Sequence, residues 1–306
     1  MPSPNVKNPT YYGFGGAHYL KHPSANAVYY VQDAARGGDD ANNGISPDTP
    51  VLTITQALVL AAALPAAIQR QVYIFVARTT VGSETWPITI SQAYLHLIGT
   101  PDQASPTPAI RPDAGHHGLV LGAGGIEVTG FLFQGLAGEN DACIYSAAAQ
   151  QWMNHIHHNF FAWDSVAYDC IRLDNQQQQI SIHHNYFGAH GFTNYAIEAS
   201  TPAGRTLIED NVFLVKGREE NGLGGIIMHP VSGGGVIRNN VFSVPDTANT
   251  GMAINLTGGQ DQLVTGNYAM AGVDQMVAGA EPYRDLGASH WGLNYWSILP
   301  LMPVVV

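Results

Sequence analysis

Five asparagines recur at nearly constant spacing, and this period constrains the chain more than any other feature. Asn159, Asn185, Asn211, Asn240 and Asn267 are separated by 26, 26, 29 and 27 residues. The text around them repeats: Ile-His-His-Asn-Phe-Phe at 156–161, Ile-His-His-Asn-Tyr-Phe at 182–187, Ile-Glu-Asp-Asn-Val-Phe at 208–213, Ile-Arg-Asn-Asn-Val-Phe at 237–242 and Val-Thr-Gly-Asn-Tyr-Ala at 264–269. An earlier, degenerate copy, Val-Thr-Gly-Phe-Leu at 128–132, puts Gly130 in the asparagine place. A fixed period of this length marks a solenoid, in which each repeat stacks on the next to complete a shared core.

Within a copy the apolar residues alternate, as in Ile180 and Ile182, which is the period of a strand and not of a helix. A second strand per copy is marked by Ile144, Ile171, Ile197, Ile226 and Ile254, spaced 27, 26, 29 and 28 residues. Short strands repeated at constant rise predict a parallel β-helix. A tandem array of unrelated asparagine turns would not keep the flanking Ile and Phe aligned. Asparagine suits the bend because it tolerates unusual backbone angles and bonds nearby backbone. Stacked asparagines are expected to bond from coil to coil. Phe161, Phe187, Phe213 and Phe242 are expected to form a stacked core column.

The chain of 306 residues is long enough for one extended core. Only 11% of residues are charged, Lys7, Lys21 and Lys216 are the whole lysine set, and the net charge is −11. An acidic chain so poor in lysine argues against nucleic acid or an anionic membrane surface as partner. The longest apolar run, at 57–67, is interrupted by Pro65 and is too short to cross a bilayer. Cys143 and Cys170 lie one coil apart, each preceding a repeat isoleucine, and are expected to be stacked free thiols. Adjacent strands lie only about 4.8 Å apart, near the lower limit for a disulfide.

Four regions follow from the pattern. Residues 1–25 are an aromatic N-terminal arm. Residues 26–118 form an N-terminal cap and irregular first coils, with strands near 27–33, 72–77, 87–90 and 95–99. Within them, 53–64 reads as a helix with Thr53 as N-cap, suited to cover the open end of the solenoid. Regular coils span 119–279. Residues 280–306 form an aromatic and apolar tail, with Tyr283, Trp291, Tyr295 and Trp296, too apolar to stand free in water. Both ends are expected to pack against other copies or against the end of the solenoid.

The segment Gly-Asp-Asp-Ala-Asn-Asn-Gly-Ile-Ser-Pro-Asp-Thr-Pro at 38–50, followed by Thr-Ile-Thr-Gln-Ala-Leu at 53–58, resembles the opening of pectate-lyase-like parallel β-helix proteins. The asparagine–phenylalanine coils resemble those of the same superfamily, so the resemblance covers about residues 27–279. It implies an all-β, single-stranded right-handed parallel β-helix with an N-terminal capping helix and non-repeat terminal arms. It does not select an activity, because the architecture carries polysaccharide lyases, hydrolases, epimerases and non-enzymatic viral spikes.

If Ile171 and Leu173 point inward, Arg172 and Asp174 point outward. The same parity predicts two outward columns, Tyr145–Arg172–Glu198–Ile227–Asn255 and Ala147–Asp174–Ser200–His229–Thr257. Asp174, Glu198, His229 and Arg172 are the candidate catalytic groups. With Tyr145 and Asn255 they are the candidate glycan-binding face. Glycoside hydrolysis needs two carboxyl groups about 5–9.5 Å apart, which neighbouring coils can supply. The plain alternative is cross-strand charge pairing on an open sheet, which would keep Arg172 and Glu198 ionised and leave the face binding a glycan without cutting it. Asp169, Asp174 and Glu198 do not read as the calcium-holding acidic cluster of the lyase branch.

His157 and His183 occupy equivalent positions on adjacent coils, as do His158 and His184, with His155 nearby. Imidazoles so placed can hold a transition metal, with Glu209 and Asp210 on the next coil as further donors. A stacked surface ladder is the alternative. Asp39, Asp40 and Asp48 suit either calcium or turn chemistry.

Two functions remain. One is a virion component, a capsid decoration, spike or fibre protein that binds a receptor or glycan. It would assemble as a homotrimer with other virion proteins and need no cofactor. The other is a secreted polysaccharide lyase or glycoside hydrolase acting on the exposed β-helix face. The opening, Met1-Pro-Ser-Pro-Asn-Val-Lys7, has no apolar signal segment. That favours a virion over a secreted protein unless a signal has been trimmed.

Overall fold

The computed structural model describes residues 27–65, 71–79, 83–101, 107–134, 142–146, 152–161, 169–174, 179–188, 195–199, 205–214, 224–228, 234–243, 252–256, 261–271, 283–285, 289–298 and 304–305. The described residues form an all-β parallel β-solenoid with three sheets and one short α-helix. The arm at 1–25 lies outside the described residues.

The first sheet stacks Ala27–Val31, Val72–Val76, Leu95–Gly99, Glu127–Thr129, His155–His157, Ser181–His183, Leu207–Glu209, Val236–Arg238, Leu263–Thr265 and His290–Trp291. The second carries the phenylalanine strands, among them Leu132–Phe133, Phe160–Phe161, Tyr186–Phe187, Val212–Leu214 and Val241–Ser243. The third includes Leu119–Leu121, Ala142–Ser146, Asp169–Leu173, Tyr195–Ala199, Gly224–Met228 and Met252–Leu256. The strands of the coils pair in parallel with their counterparts one coil away, so side chains at matching places form columns. Val304–Val305 alone among the described strands pairs antiparallel, with Tyr295–Ile298.

Two columns fill the interior. Phe161, Phe187, Phe213 and Phe242 are fully buried, with successive centroids 4.7, 4.6 and 4.6 Å apart and rings within 9° of parallel. Burial of each ring contributes roughly 1.5–3 kcal/mol. The isoleucines Ile144, Ile171, Ile197, Ile226 and Ile254 form the matching column on the third sheet and are all fully buried.

The asparagines sit at the corner between the first and second sheets. They are buried and bonded from coil to coil as expected, but Gly130 is not their counterpart. Ile156 pairs with Val128, so Phe131 stands opposite Asn159, and its N–H donates to Asn159 Oδ1 at 3.1 Å. Gly130 instead aligns with His158, His184, Asp210, Asn239 and Gly266, all with φ between 53 and 80°. The left-handed bend is therefore made by the residue before each asparagine. The asparagine is selected for its hydrogen bonds.

The helix, Ile54–Ala62, packs Ile54, Ala57 and Ala61 inward against the first strands and covers that end of the core. Thr53 is the N-cap, its Oγ1 accepting from Gln56 N at 3.0 Å. Glu84 adds a second cap, accepting from Ile54 N at 2.6 Å and Thr55 N at 3.1 Å. Asp40 is committed to the same junction. It accepts from Leu52 N, Thr53 N and Thr53 Oγ1, each at 2.9 Å. Asp39 accepts from Ala41 N at 2.9 Å. This is turn and capping chemistry.

The boundary drawn at 279 comes one coil too early. Tyr283–Asp285 pairs with Ile254–Leu256, His290–Trp291 with Leu263–Val264, and Tyr295–Ile298 with Tyr268–Ala271. Asn294 is a further member of the asparagine column and accepts from Asn267 N at 3.1 Å. The described part of the tail completes the chain's own solenoid, which accounts for its aromatic content. Among the described residues no helix is long and apolar enough to cross a membrane.

Cys143 and Cys170 are buried thiols with no disulfide between them, and the pairs Ala142–Asp169 and Ile144–Ile171 are in register on either side. Burial, followed by the hydrogen bond and charge of Cys143, pushes the Cys170 thiol well up.

Candidate functional site

The third sheet brings the first predicted column together in register. Tyr145 pairs with Arg172, Arg172 with Glu198, Glu198 with Ile227, and Ile227 with Asn255. Of the second column only Asp174 is described; Ala147, Ser200, His229 and Thr257 lie outside the described residues.

The face is not the open one that strand parity suggests. Glu198 is only 9% exposed and Asn255 5%, while Tyr145, Arg172 and Asp174 are half-buried. Parity says which side of the sheet a residue takes, not what lies above it. Arg172 also bonds within its own strand, Nε donating to Asp174 Oδ2 at 3.1 Å. Asn255 Nδ2 donates to Tyr195 Oη at 3.4 Å, two coils away.

The decisive addition is Asp169. It is fully buried, its Oδ1 accepts from Tyr195 N at 3.2 Å, and it lies close enough to the Glu198 carboxyl group of the adjacent strand to feel its charge. Burial and then the Glu198 charge raise its pKa to about 8. The sequence shows Asp169 only as another acid in a strand, because pairing with Glu198 depends on side-chain reach that register does not encode. The structure also adds His117, stacked on Tyr145 at 4.2 Å between centroids, its Nδ1 accepting from Ala142 N at 2.9 Å. Burial, then the charge of Asp174 and a hydrogen bond to it, raise the Tyr145 hydroxyl above its ordinary range.

A second cluster lies on the first sheet. His157 and His183 stack at 4.8 Å and 4°, and His158 and His184 at 5.0 Å and 7°. The ladder reading is therefore correct as geometry, but it omits Glu127. This buried carboxylate accepts from His157 Nε2 at 2.7 Å and pairs with His96 Nδ1 at 2.5 Å. Burial alone would raise its pKa; hydrogen bonds from His157 and His96, with their charge, bring it down to about 2. Tyr73 stacks on His96 at 4.3 Å. The expected donor Glu209 is instead ion-paired to Arg238, whose Nε lies 2.6 Å from Oε2. Sequence spacing could have found Glu127, which stands opposite His155 one coil back.

No protein-family model and no curated protein matches this chain. Its fold is similar to the crystal structure of a GH136 lacto-N-biosidase from Eubacterium ramulus, in the selenomethionine derivative. The TM-score is 0.50 at 12% identity over 90% of this chain and 68% of that one. The native form of that protein matches with a TM-score of 0.48 at 11% identity, over 88% and 64%. At such identity the likeness establishes the β-helix fold and nothing finer.

Proposed function

We propose that this chain is a carbohydrate-active protein that cleaves a glycosidic bond on the third-sheet face around Glu198. The supporting observation is the buried Asp169 carboxyl group beside Glu198 of the adjacent strand, where burial and the Glu198 charge favour its protonated form. A carboxyl group that keeps its proton at neutral pH is the general acid that cleavage of a glycosidic bond requires.

Asp169 holds the proton away from water, and Glu198, the member that reaches the surface, exchanges it with the glycosidic oxygen. Asp174, ion-paired with Arg172, is the second carboxylate. It stands one strand across and two residues along from Glu198, roughly 8 Å away at Cα, compatible with the carboxyl spacing of glycoside hydrolysis. The stacked Tyr145 and His117 rings offer a flat surface to a sugar.

Of the two functions left by the sequence, this reading takes the glycan-processing one over the virion component. The β-helix fold shared with a lacto-N-biosidase leans the same way. The test is digestion of a panel of neutral and acidic oligosaccharides by the wild type, Asp169→Asn and Glu198→Gln. Cleavage should fall by about 10²-fold or more in each variant. A wild type that cleaves nothing in the panel, or variants that cleave at the wild-type rate, would refute it.

A further inference from the structure

We propose that His157, His158 and His183 form a binding site for a divalent first-row transition metal, with zinc as the reference probe. One ring nitrogen from each lies within 4.8 Å of the other two. The site is on the first sheet, away from the Asp169–Glu198 face, and does not depend on the glycan reading.

Three features of the cluster point to a ligand rather than to a plain ladder. First, His157 is oriented from behind. Its Nε2 faces Glu127 Oε1 at 2.7 Å, so Nδ1 is the nitrogen turned towards His158, 2.8 Å from that ring's Nδ1. A buried carboxylate that fixes the far nitrogen of a histidine is the outer-shell support that metal-binding imidazoles receive, and it turns Nδ1 to the side of His158, where Thr129 Oγ1 also lies at 3.2 Å and would give way to a metal. Glu127 is in turn anchored by His96, so the support is itself fixed.

Second, the corner position is occupied by imidazoles where other coils have smaller residues. His158 has φ 53° and His184 φ 54°, while Gly130, Asp210, Asn239 and Gly266 take that place elsewhere. A left-handed backbone at His158 swings its ring across to the His157 column; centroids are 5.0 Å apart at 84°. Two stacked rings met by a third at a right angle present nitrogens from different directions, as a metal requires and a parallel stack alone does not.

Third, all three donors are imidazole nitrogens. An all-imidazole set suits zinc, copper or nickel rather than calcium or magnesium. His184 Nδ1, 2.9 Å from His183 Nδ1, is a further donor at the solvent side.

Loading demands small movements. Two nitrogens at about 2.0–2.1 Å from a tetrahedral zinc lie roughly 3.3 Å apart. His158 must therefore withdraw by a few tenths of an ångström, and the widest pair must close. His158 and His183 are half-buried and can turn, while His157 stays pinned to Glu127.

The experiment is calorimetric titration of the full chain with zinc, together with visible absorption of the cobalt-loaded protein. We expect one zinc per chain with micromolar or tighter affinity and a cobalt spectrum of low coordination number. His183→Asn, at a half-exposed position that should leave folding intact, should weaken binding at least 10-fold. Glu127→Gln should weaken it about 10–100-fold. Circular dichroism checks that each variant is folded; if Glu127→Gln is not, His183→Asn decides alone. Absence of micromolar binding, or binding that His183→Asn leaves unchanged, would overturn the assignment.

Discussion

Asn240 and Asn267 are joined twice by one oxygen. Oδ1 of Asn267 accepts from the backbone N–H of Asn240 at 3.0 Å and from its Nδ2 at 2.9 Å. The same double bond links Asn159 to Asn185, Asn185 to Asn211, Asn211 to Asn240 and Asn267 to Asn294. Each amide also satisfies a carbonyl of the preceding coil, as Asn211 Nδ2 does for Ile182 O at 2.9 Å. The corner thus keeps its buried polar groups bonded without water.

Asn211→Ala removes a donor and an acceptor from the middle of this column. It strands Asn185 N and takes a donor from the Ile182 carbonyl in a buried place, while Asn185 Nδ2 keeps the Ile156 and His183 carbonyls. At about 1–3 kcal/mol for each stranded group, partly relieved by relaxation, the loss should be about 2–4 kcal/mol. Urea unfolding measures it. A loss below about 1 kcal/mol would mean that the column is not what holds the corner.

Asp210 supplies the left-handed bend before Asn211, with φ 54°. Asp210→Val should cost about 1–2 kcal/mol, because a β-branched side chain crowds that backbone. Asp210→Gly should be close to neutral, since relief of the bend offsets the greater freedom of glycine in the unfolded chain. Thermal unfolding of the two variants should separate them clearly. Equal stability would assign the bend to the wrong residue.

Asp169 makes stability depend on pH in the direction opposite to an ordinary salt-bridged carboxylate. Its pKa is raised from 3.8 to about 8 in the folded protein. Between those values the native state holds a proton that the unfolded chain has released. The stabilisation is complete below about pH 4 and is lost as pH rises towards 8. The wild type should therefore lose stability relative to Asp169→Asn between pH 5 and pH 8. Urea midpoints of both proteins across that range give the difference, and a flat difference would show that Asp169 is ionised throughout.

The fold was legible because a solenoid writes its geometry as a period. Asn159 through Asn267, the phenylalanines and the isoleucines each recur once per coil, so register, stacking and core columns follow from counting. The capping helix was legible from Thr53 and the apolar run after it. The candidate sites were half legible. Counting placed Arg172 beside Glu198 and His157 beside His183, but could not show that Glu198 is covered. Nor could it show that Asp169 reaches Glu198, or that Glu127 reaches past its register partner His155 to bond His157. Those contacts depend on side-chain reach and on what lies over a sheet, which no period records. Asn294 continues the period, 27 residues after Asn267 in Leu-Asn-Tyr, but its coil lacks the flanking Ile and Phe that mark the others.

That last coil carries the final prediction. Tyr283 and Asn294 are buried, and Tyr283 Oη donates to the Tyr295 carbonyl at 3.0 Å, tying the third-sheet strand to the second. Removing residues 280–306 strips Asn267 of the acceptor for its N–H and Nδ2. It also uncovers the strands Met252–Leu256, Leu263–Thr265 and Tyr268–Ala271 at once. An open solenoid end presents unpaired backbone groups and apolar surface together, which favours edge-to-edge association. The truncated chain should unfold at lower temperature than the full chain and elute as larger species in size exclusion with light scattering. If the tail instead serves only to contact other copies, truncation would give a smaller assembly of unchanged thermal stability, and the reading of 283–298 as a structural coil would fail.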